Sequence, residues 1–396
     1  NNNNNNNNNI FTFSNKTNQN FHKIDTINFI KRFSGKSKAG RTYDGKTKTN
    51  QDSFLIKTRI FNLDNFSIFG VFDGHGTHGH FISNLIKLFF NDYFGKQDIF
   101  LGKNYINRIP NSGIYSSNNN NNNNFNSNFN KNFISNKATN NFLHNSNSTN
   151  NLGNNNNNSN NSANQNLNEI LIYEKLKEKQ SHLIKNSFNL CESSISLSKY
   201  DVNFSGSTCV MCFFIDNKII CANSGDSRAI LITSEKGFDS VVNLSRDHKP
   251  DLADEMNRIT RSNGRVDRYC ENGIRSGPFR VWLKNQNYPG LAMSRSICDL
   301  VAGSVGVINE PEIIEYEINE YSKFIVIASD GIWEFLSNER VMEIVNFFYC
   351  STFDAATAAD KLVEEATKMW RRVFFLFIKF FLLFFRKMIL LMILLP

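Results

Sequence analysis

Two apolar runs in this chain stop on the same pair of residues, aspartate then glycine. Phe66-Ser67-Ile68-Phe69-Gly70-Val71-Phe72 runs into Asp73-Gly74-His75-Gly76, and Phe324-Ile325-Val326-Ile327-Ala328-Ser329 runs into Asp330-Gly331. A third acid, Asp52, closes Thr49-Asn50-Gln51. Short apolar runs bounded by turn residues read as buried strands. A lone charge is costly inside a core, so each acid belongs at the strand's end, where the adjacent glycine lets the chain turn sharply. Carboxylates collected at strand ends are placed to hold a hard metal ion rather than to stabilise the fold.

The chain has 396 residues, enough for one large domain or two small ones, and 40% of them are hydrophobic. That low share is local in origin, because asparagine-rich tracts dilute segments that are otherwise rich enough to fold. Residues 1–37 are polar and asparagine-rich and are expected to be mostly disordered, with the fold beginning near Gly40 or Asp44. The stretch from about 112 to 168 is asparagine, serine and isolated phenylalanine, which cannot bury a core. It reads as an inserted loop, tolerated because closure entropy grows only logarithmically with length, with a weak capacity for self-association. The domain reading is therefore 1–39 disordered, 40–372 folded around that insert, and 373–396 a hydrophobic tail. The first residue is Asn1 rather than methionine, which suits a fragment, and the start shows no signal-peptide pattern.

A net charge of +8 without a nucleic-acid-binding motif gives no reason to expect a nucleic-acid partner. The seven cysteines are scattered. Cys209 and Cys212 have C-x-x-C spacing, but on a strand they face opposite ways, which argues against a metal or redox pair. Buried thiols in a reducing compartment are expected, cytoplasmic or nuclear.

Strands are expected within Thr49–Ile60 and over Phe66–Phe72, Thr208–Ile215, Lys218–Ala222, Arg228–Thr233 and Lys323–Ser329, with turns at Asp216-Asn217 and Gly225-Asp226. Helices are expected over Phe81–Phe90, from Glu169 toward Cys191, after Pro250 with Leu252, Met256 and Ile259 inward, after the capping Ser337, and over Ala355–Trp370. Short strands with segregated helices, and no βαβ periodicity, point to an antiparallel-rich α+β sandwich.

The Asp73 carboxylate can bridge two divalent ions, the Gly74 carbonyl can serve as an oxygen ligand, and His75 can pass a proton to a leaving group. Asp330 completes an oxygen-rich set suited to Mg²⁺ or Mn²⁺, and the absence of an HExxH or Cys/His pattern argues against a zinc protease. Two ions so held activate water and polarise a phosphoryl oxygen, which is metal-assisted phosphoester hydrolysis without a covalent intermediate.

Further strings then make the chain similar to a known family. Asn50-Gln51-Asp52-Ser53, Val71-Phe72-Asp73-Gly74-His75-Gly76, Ser205-Gly206-Ser207-Thr208, Ala222-Asn223-Ser224-Gly225-Asp226-Ser227-Arg228, Leu244-Ser245-Arg246-Asp247-His248-Lys249-Pro250, Leu291-Ala292-Met293-Ser294-Arg295-Ser296, Pro311-Glu312 and Ala328-Ser329-Asp330-Gly331-Ile332-Trp333 occur in this order. Together they resemble the PPM/PP2C family of metal-dependent protein serine/threonine phosphatases over about residues 40–370. The resemblance implies a four-layer αββα sandwich of two antiparallel sheets flanked by helices, a monomer, phosphorylated protein substrates, and two Mg²⁺ or Mn²⁺ ions with a weaker third. It implies Asp52, Asp73, Gly74 and Asp330 as metal ligands, His75 as general acid, and Glu334 at the third site, which Asn203 weakens by standing where the family usually has aspartate. Asp226 is expected as a turn residue, Arg228 as structural and Asp299 as fold support.

Two departures stand out. Where many members carry a phosphate-clasping arginine this chain has Thr47, flanked by Lys46 and Lys48, which supply charge but not a bidentate fork. The family also closes with an Asp-Asn or Asp-Asp pair entering a last strand, and after Asp360 no aspartate follows. A phosphatase-like binding module that has lost turnover is therefore the alternative to an enzyme. Beyond Trp370-Arg371-Arg372 the sequence turns to Val373-Phe374-Phe375-Leu376-Phe377-Ile378 and on to Pro396. Translated non-coding or frame-shifted sequence is the favoured explanation of that tail. The others are a membrane anchor, which Lys379, Arg386 and Lys387 interrupt, and an interfacial segment.

Overall fold

The structure, a computed structural model, describes residues 30, 32–40, 46–60, 65–95 and 180–372. The asparagine-rich start up to residue 29, the insert at 112–168, the first turns of the helix expected from Glu169 and the tail at 373–396 lie outside the described residues. Among the described residues no helix is long and apolar enough to cross a membrane.

Thirteen strands are described: β1 (Asp52–Lys57), β2 (Phe66–His75), β3 (Gly206–Ser207), β4 (Cys209–Ile215), β5 (Lys218–Ser224), β6 (Arg228–Glu235), β7 (Phe238–Asn243), β8 (Gly264–Glu271), β9 (Ile274–Leu283), β10 (Pro289–Leu291), β11 (Ile297–Cys298), β12 (Glu312–Glu317) and β13 (Ser322–Ala328). One sheet runs β11-β3-β2-β4-β5-β12, with β1 also paired to β2; a second runs β13-β6-β7; a third, smaller one runs β10-β9-β8. All strand pairs are antiparallel.

The side-chain period of two explains why the apolar runs lack polar alternation. In β6, Ala229 and Leu231 face the first sheet, where they meet Val210, Cys212, Ile219 and Cys221. Their neighbours Ile230 and Ile232 face the other way, onto Val341, Ile344, Leu362 and Ala366 of the Asn338–Ser351 helix and the helix at 355–372. On the far side of the first sheet, Phe90 of the Gly79–Tyr93 helix stacks on Phe72 at 6.3 Å and meets Phe188 at 5.3 Å. Helices, sheet, sheet and helices thus form four layers, the αββα sandwich expected from sequence. Ile230 is fully buried. Ile230→Val is therefore expected to cost about 0.5–1.5 kcal/mol, read as a lowered urea midpoint at unchanged m-value.

The thiols follow the strand parity. Cys212 stands opposite Cys221 in the inter-sheet core, while Cys209 faces Cys191 on the helix at 180–196. Asp216, at φ 54, makes the expected turn between β4 and β5.

Several features differ from expectation, and β7, β10 and β12 lie where no strand was expected. The ordered region reaches further toward the N-terminus than Gly40, because the few apolar side chains there find partners: Phe33 packs edge-on against Phe69 at 5.7 Å, and a Lys36–Asp360 ion pair of 2.8 Å ties the segment to the helix at 355–372. The β8–β9 hairpin was not expected at all. Its strands carry Arg265, Asp267, Arg268 and Arg275 and are largely exposed, so no apolar alternation marks them, although Asn272-Gly273, both at positive φ, forms the tight turn that its type favours.

Candidate metal centre

β1 and β2 pair so that Asp52 lies directly opposite Asp73. Asp330 opens the short Asp330–Trp333 helix that follows β13 in the second sheet, and Ser329 beside it donates its hydroxyl to Asp52 Oδ2 at 3.1 Å. The three acids expected at the site therefore do converge, from two sheets and three distant segments. Asp73 lies between the other two, within side-chain hydrogen-bonding reach of both. Burial, then the like charges of Asp52 and Asp330, hold its carboxyl well above the usual carboxylate range. Burial also raises Asp52, against hydrogen bonds from Asp73 and Ser329.

Gly74 fits for a steric reason. A Cβ there would stand 2.2 Å from the Gly79 carbonyl oxygen, where the first turn of the Gly79–Tyr93 helix crosses the strand. Asp73 and His75 are two apart on β2 and share a face. His75 Nε2 lies 2.5 Å from Asp299 Oδ2. Burial pushes its imidazole down, but the Asp299 carboxylate, with the Asp226 charge and the Asp73 backbone, leaves it raised.

The role of one residue near the site escaped the sequence reading. Asp226, expected as a turn residue, is buried beside the cluster; the Asp330 charge acts on it, and its own charge acts on Asp73. Its Oδ2 pairs with Lys249 Nζ at 2.5 Å, and its Oδ1 is buried with no hydrogen-bond partner among the described residues. Burial raises its carboxyl, Lys249 opposes that, and Asp330 raises it further. The signal was present in Gly225-Asp226 and Asp247-His248-Lys249, but nothing local shows that the chain crosses between sheets there. Asn203 lies on an exposed loop, bonded through its N–H to Asp201. Arg228 is structural as expected: its fork grips Asp247 at 2.8 and 2.7 Å, a further nitrogen meets Asn338, and the guanidinium lies over Trp333.

A groove of about 1300 Å³ is lined by Asp52, Asp73 and Asp330 together with parts of β1, β2 and β13, and Glu334 and Lys48 also line it. Both are exposed, as is Lys46, which is not part of that lining. Among the described residues β13 pairs with β6 and has its other edge along this groove.

Among the described residues no three His, Cys, Asp or Glu side chains stand in finished ligand geometry; the acids close on one another instead. The donor set still fits a hard cation. Buried like charges in contact need a counter-charge, every donor is oxygen, and Asp226 Oδ1 lacks a partner.

The family model described as Protein phosphatase 2C matches residues 106–372. A "Probable protein phosphatase 2C 14" of Oryza sativa subsp. japonica is 31% identical over 335 residues, covering 84% of this chain and 56% of that protein. A "Probable protein phosphatase 2C 61" of Arabidopsis thaliana is 40% identical over 178 residues, covering 44% of this chain and 52% of that protein. The chain spans about half the length of the curated relatives it matches. Among solved structures, a serine-threonine phosphatase 2C from Toxoplasma gondii shares the fold, with a TM-score of 0.52 at 16% identity, covering 81% of this chain and 89% of that one.

Proposed function

We propose, from the premise that this chain belongs to the protein phosphatase 2C family, that it hydrolyses phosphoserine and phosphothreonine esters in proteins. The observation that carries the reading is the contact of Asp73 with both Asp52 and Asp330, three acids brought from two sheets to the lining of one groove.

In this reading Asp52, Asp73 and Asp330, with the Gly74 carbonyl, hold two Mg²⁺ or Mn²⁺ ions, and Asp226 and Glu334 offer oxygens to a weaker third. When bound, the ions supply Lewis-acid polarisation of the phosphoryl oxygens and an activated water for in-line attack. The chain's own residues do the rest. The groove admits the phosphorylated side chain beside the carboxylates. Lys249, held against Asp226, and Lys48 on the wall offset negative charge on the phosphoryl group. His75 gives its proton to the departing serine or threonine oxygen. A monomer acting on phosphoproteins suffices for this chemistry.

The test is phosphate release from a phosphothreonine peptide in manganese, with a chelator control and the Asp330→Ala variant. Release is expected to need manganese and to fall to background in the variant. Release that persists with chelator or in Asp330→Ala overturns the reading.

A further inference from the structure

Asp299 is reached along backbone that two successive non-glycine residues hold in the left-handed region, Cys298 at φ 75 and Asp299 at φ 53. Such conformations are strained for residues with a side chain and persist where the surroundings enforce them. The enforcement is visible here. β11 pairs with β3, Glu192 accepts the Cys298 N–H at 2.9 Å, and the Asp299 N–H donates to the Ser205 carbonyl at 3.2 Å. The outcome is a buried carboxylate whose Oδ2 stands 2.5 Å from His75 Nε2 and accepts the Ser296 hydroxyl at 2.7 Å. Gly206, paired with His75 across β2 and β3, makes the room: a Cβ there would lie 2.2 Å from that same oxygen. Helix capping does not account for the strain, because the Asp299 side chain makes no cap hydrogen bond to the Leu300–Gly303 turn.

We propose that Asp299 is a positioning residue for His75, gripping the ring at Nε2 so that the imidazole faces the leaving oxygen in one fixed orientation. The proposal rests on the phosphatase reading for the step it serves. In that step the P–O bond breaks, its electron pair stays on the departing oxygen, and that oxygen takes the proton from the ring nitrogen not held by Asp299. The ring ends neutral, still donating Nε2–H to the carboxylate, and water restores the lost proton. Asparagine at 299 can satisfy the ring in the wrong tautomer, which is why it should harm this step and not the fold.

The experiment compares two substrates in manganese. On a phosphothreonine peptide, whose alkoxide must be protonated to leave, Asp299→Asn is expected to lower kcat about 100-fold with KM little changed. On p-nitrophenyl phosphate, whose leaving group departs without a proton, the loss is expected to stay under about 3-fold. The double variant His75→Gln/Asp299→Asn should be no slower on the peptide than His75→Gln alone, since two residues acting as a unit are not additive. Equal losses on both substrates, or an additive double variant, overturn the proposal. Ring NMR of ¹⁵N-histidine-labelled protein decides the same point without turnover. A strongly deshielded ring N–H, identified by its disappearance in His75→Gln, is expected to vanish in Asp299→Asn while the other histidine signals stay in place. A His75 ring signal that Asp299→Asn leaves unchanged also overturns the proposal. A wild-type chain that hydrolyses neither substrate overturns the phosphatase reading instead, and the ring signal still reports on Asp299.

Discussion

Asp73→Asn is expected to leave the metal-free protein at least as stable as the wild type while abolishing its stabilisation by manganese. In the metal-free fold Asp73 lies between two like charges, and burial and those charges keep its carboxyl protonated above the usual range. An amide has the same shape, carries no charge and still donates through its NH2, so the repulsion that raises the Asp73 carboxyl disappears. With manganese the sign reverses. A ligand that binds only the native state stabilises by about 2.7 kcal/mol at one hundred times its Kd, and that gain needs the carboxylate the variant lacks. Thermal melts of both proteins with and without MnCl₂ check this. Equal manganese shifts in the two would remove Asp73 from the ligand set, and a metal-free variant that melts well below the wild type would contradict the crowding of charge described for the site.

The second large effect lies away from the reaction. Glu255→Ala is expected to destabilise the fold by about 3–5 kcal/mol, seen as a large fall in the urea midpoint. Glu255 is fully buried in the Ala253–Arg261 helix, and its two oxygens meet Arg258 at 2.8 and 2.6 Å and Arg295 at 2.8 Å. The Ser294 hydroxyl donates to it as well. Removing the carboxylate strands two guanidinium groups, the costly way to break such a pair. Burial alone would raise the Glu255 carboxyl, but the hydrogen bonds from Arg258, Arg295 and Ser294 outweigh it and hold it well below the usual range. A depressed folded-state value gives stability that is complete above the unfolded glutamate value of about 4.3 and is lost as pH falls below it. Melts from pH 7 to pH 3 should therefore fall more steeply for wild type than for Glu255→Gln. Parallel profiles would show that the cluster is not coupled to folding in this way.

What sequence could reveal followed from how local each cause is. β2 and β13 were legible because apolar runs buried on both faces leave no polar alternation, and Asp73 and Asp330 were legible because each ends such a run beside glycine. The part of Asp226 was hidden because its partners, Lys249 and Asp330, are brought to it only by the crossover between sheets. Asp299 was hidden more deeply. It lies 224 residues from His75, and the left-handed backbone that aims it falls on cysteine and aspartate rather than on a glycine that would have announced it. The residues at 32–37 fell within the stretch expected to be mostly disordered, because Phe33 and Lys36 acquire meaning only against Phe69 and Asp360.

Asp52 and Asp73 travel with one layer of the sandwich and Asp330 with the other, so the spacing between them is set by the apolar filling between the layers, where Val210, Cys212 and Leu231 meet. In the proposed function, a cation gripped by all three would work as a clasp on the open end of a folded book. Any change that lets the two covers slide, even one far from the clasp, would be felt there first, as a looser hold on the ion before any loss of the pages themselves.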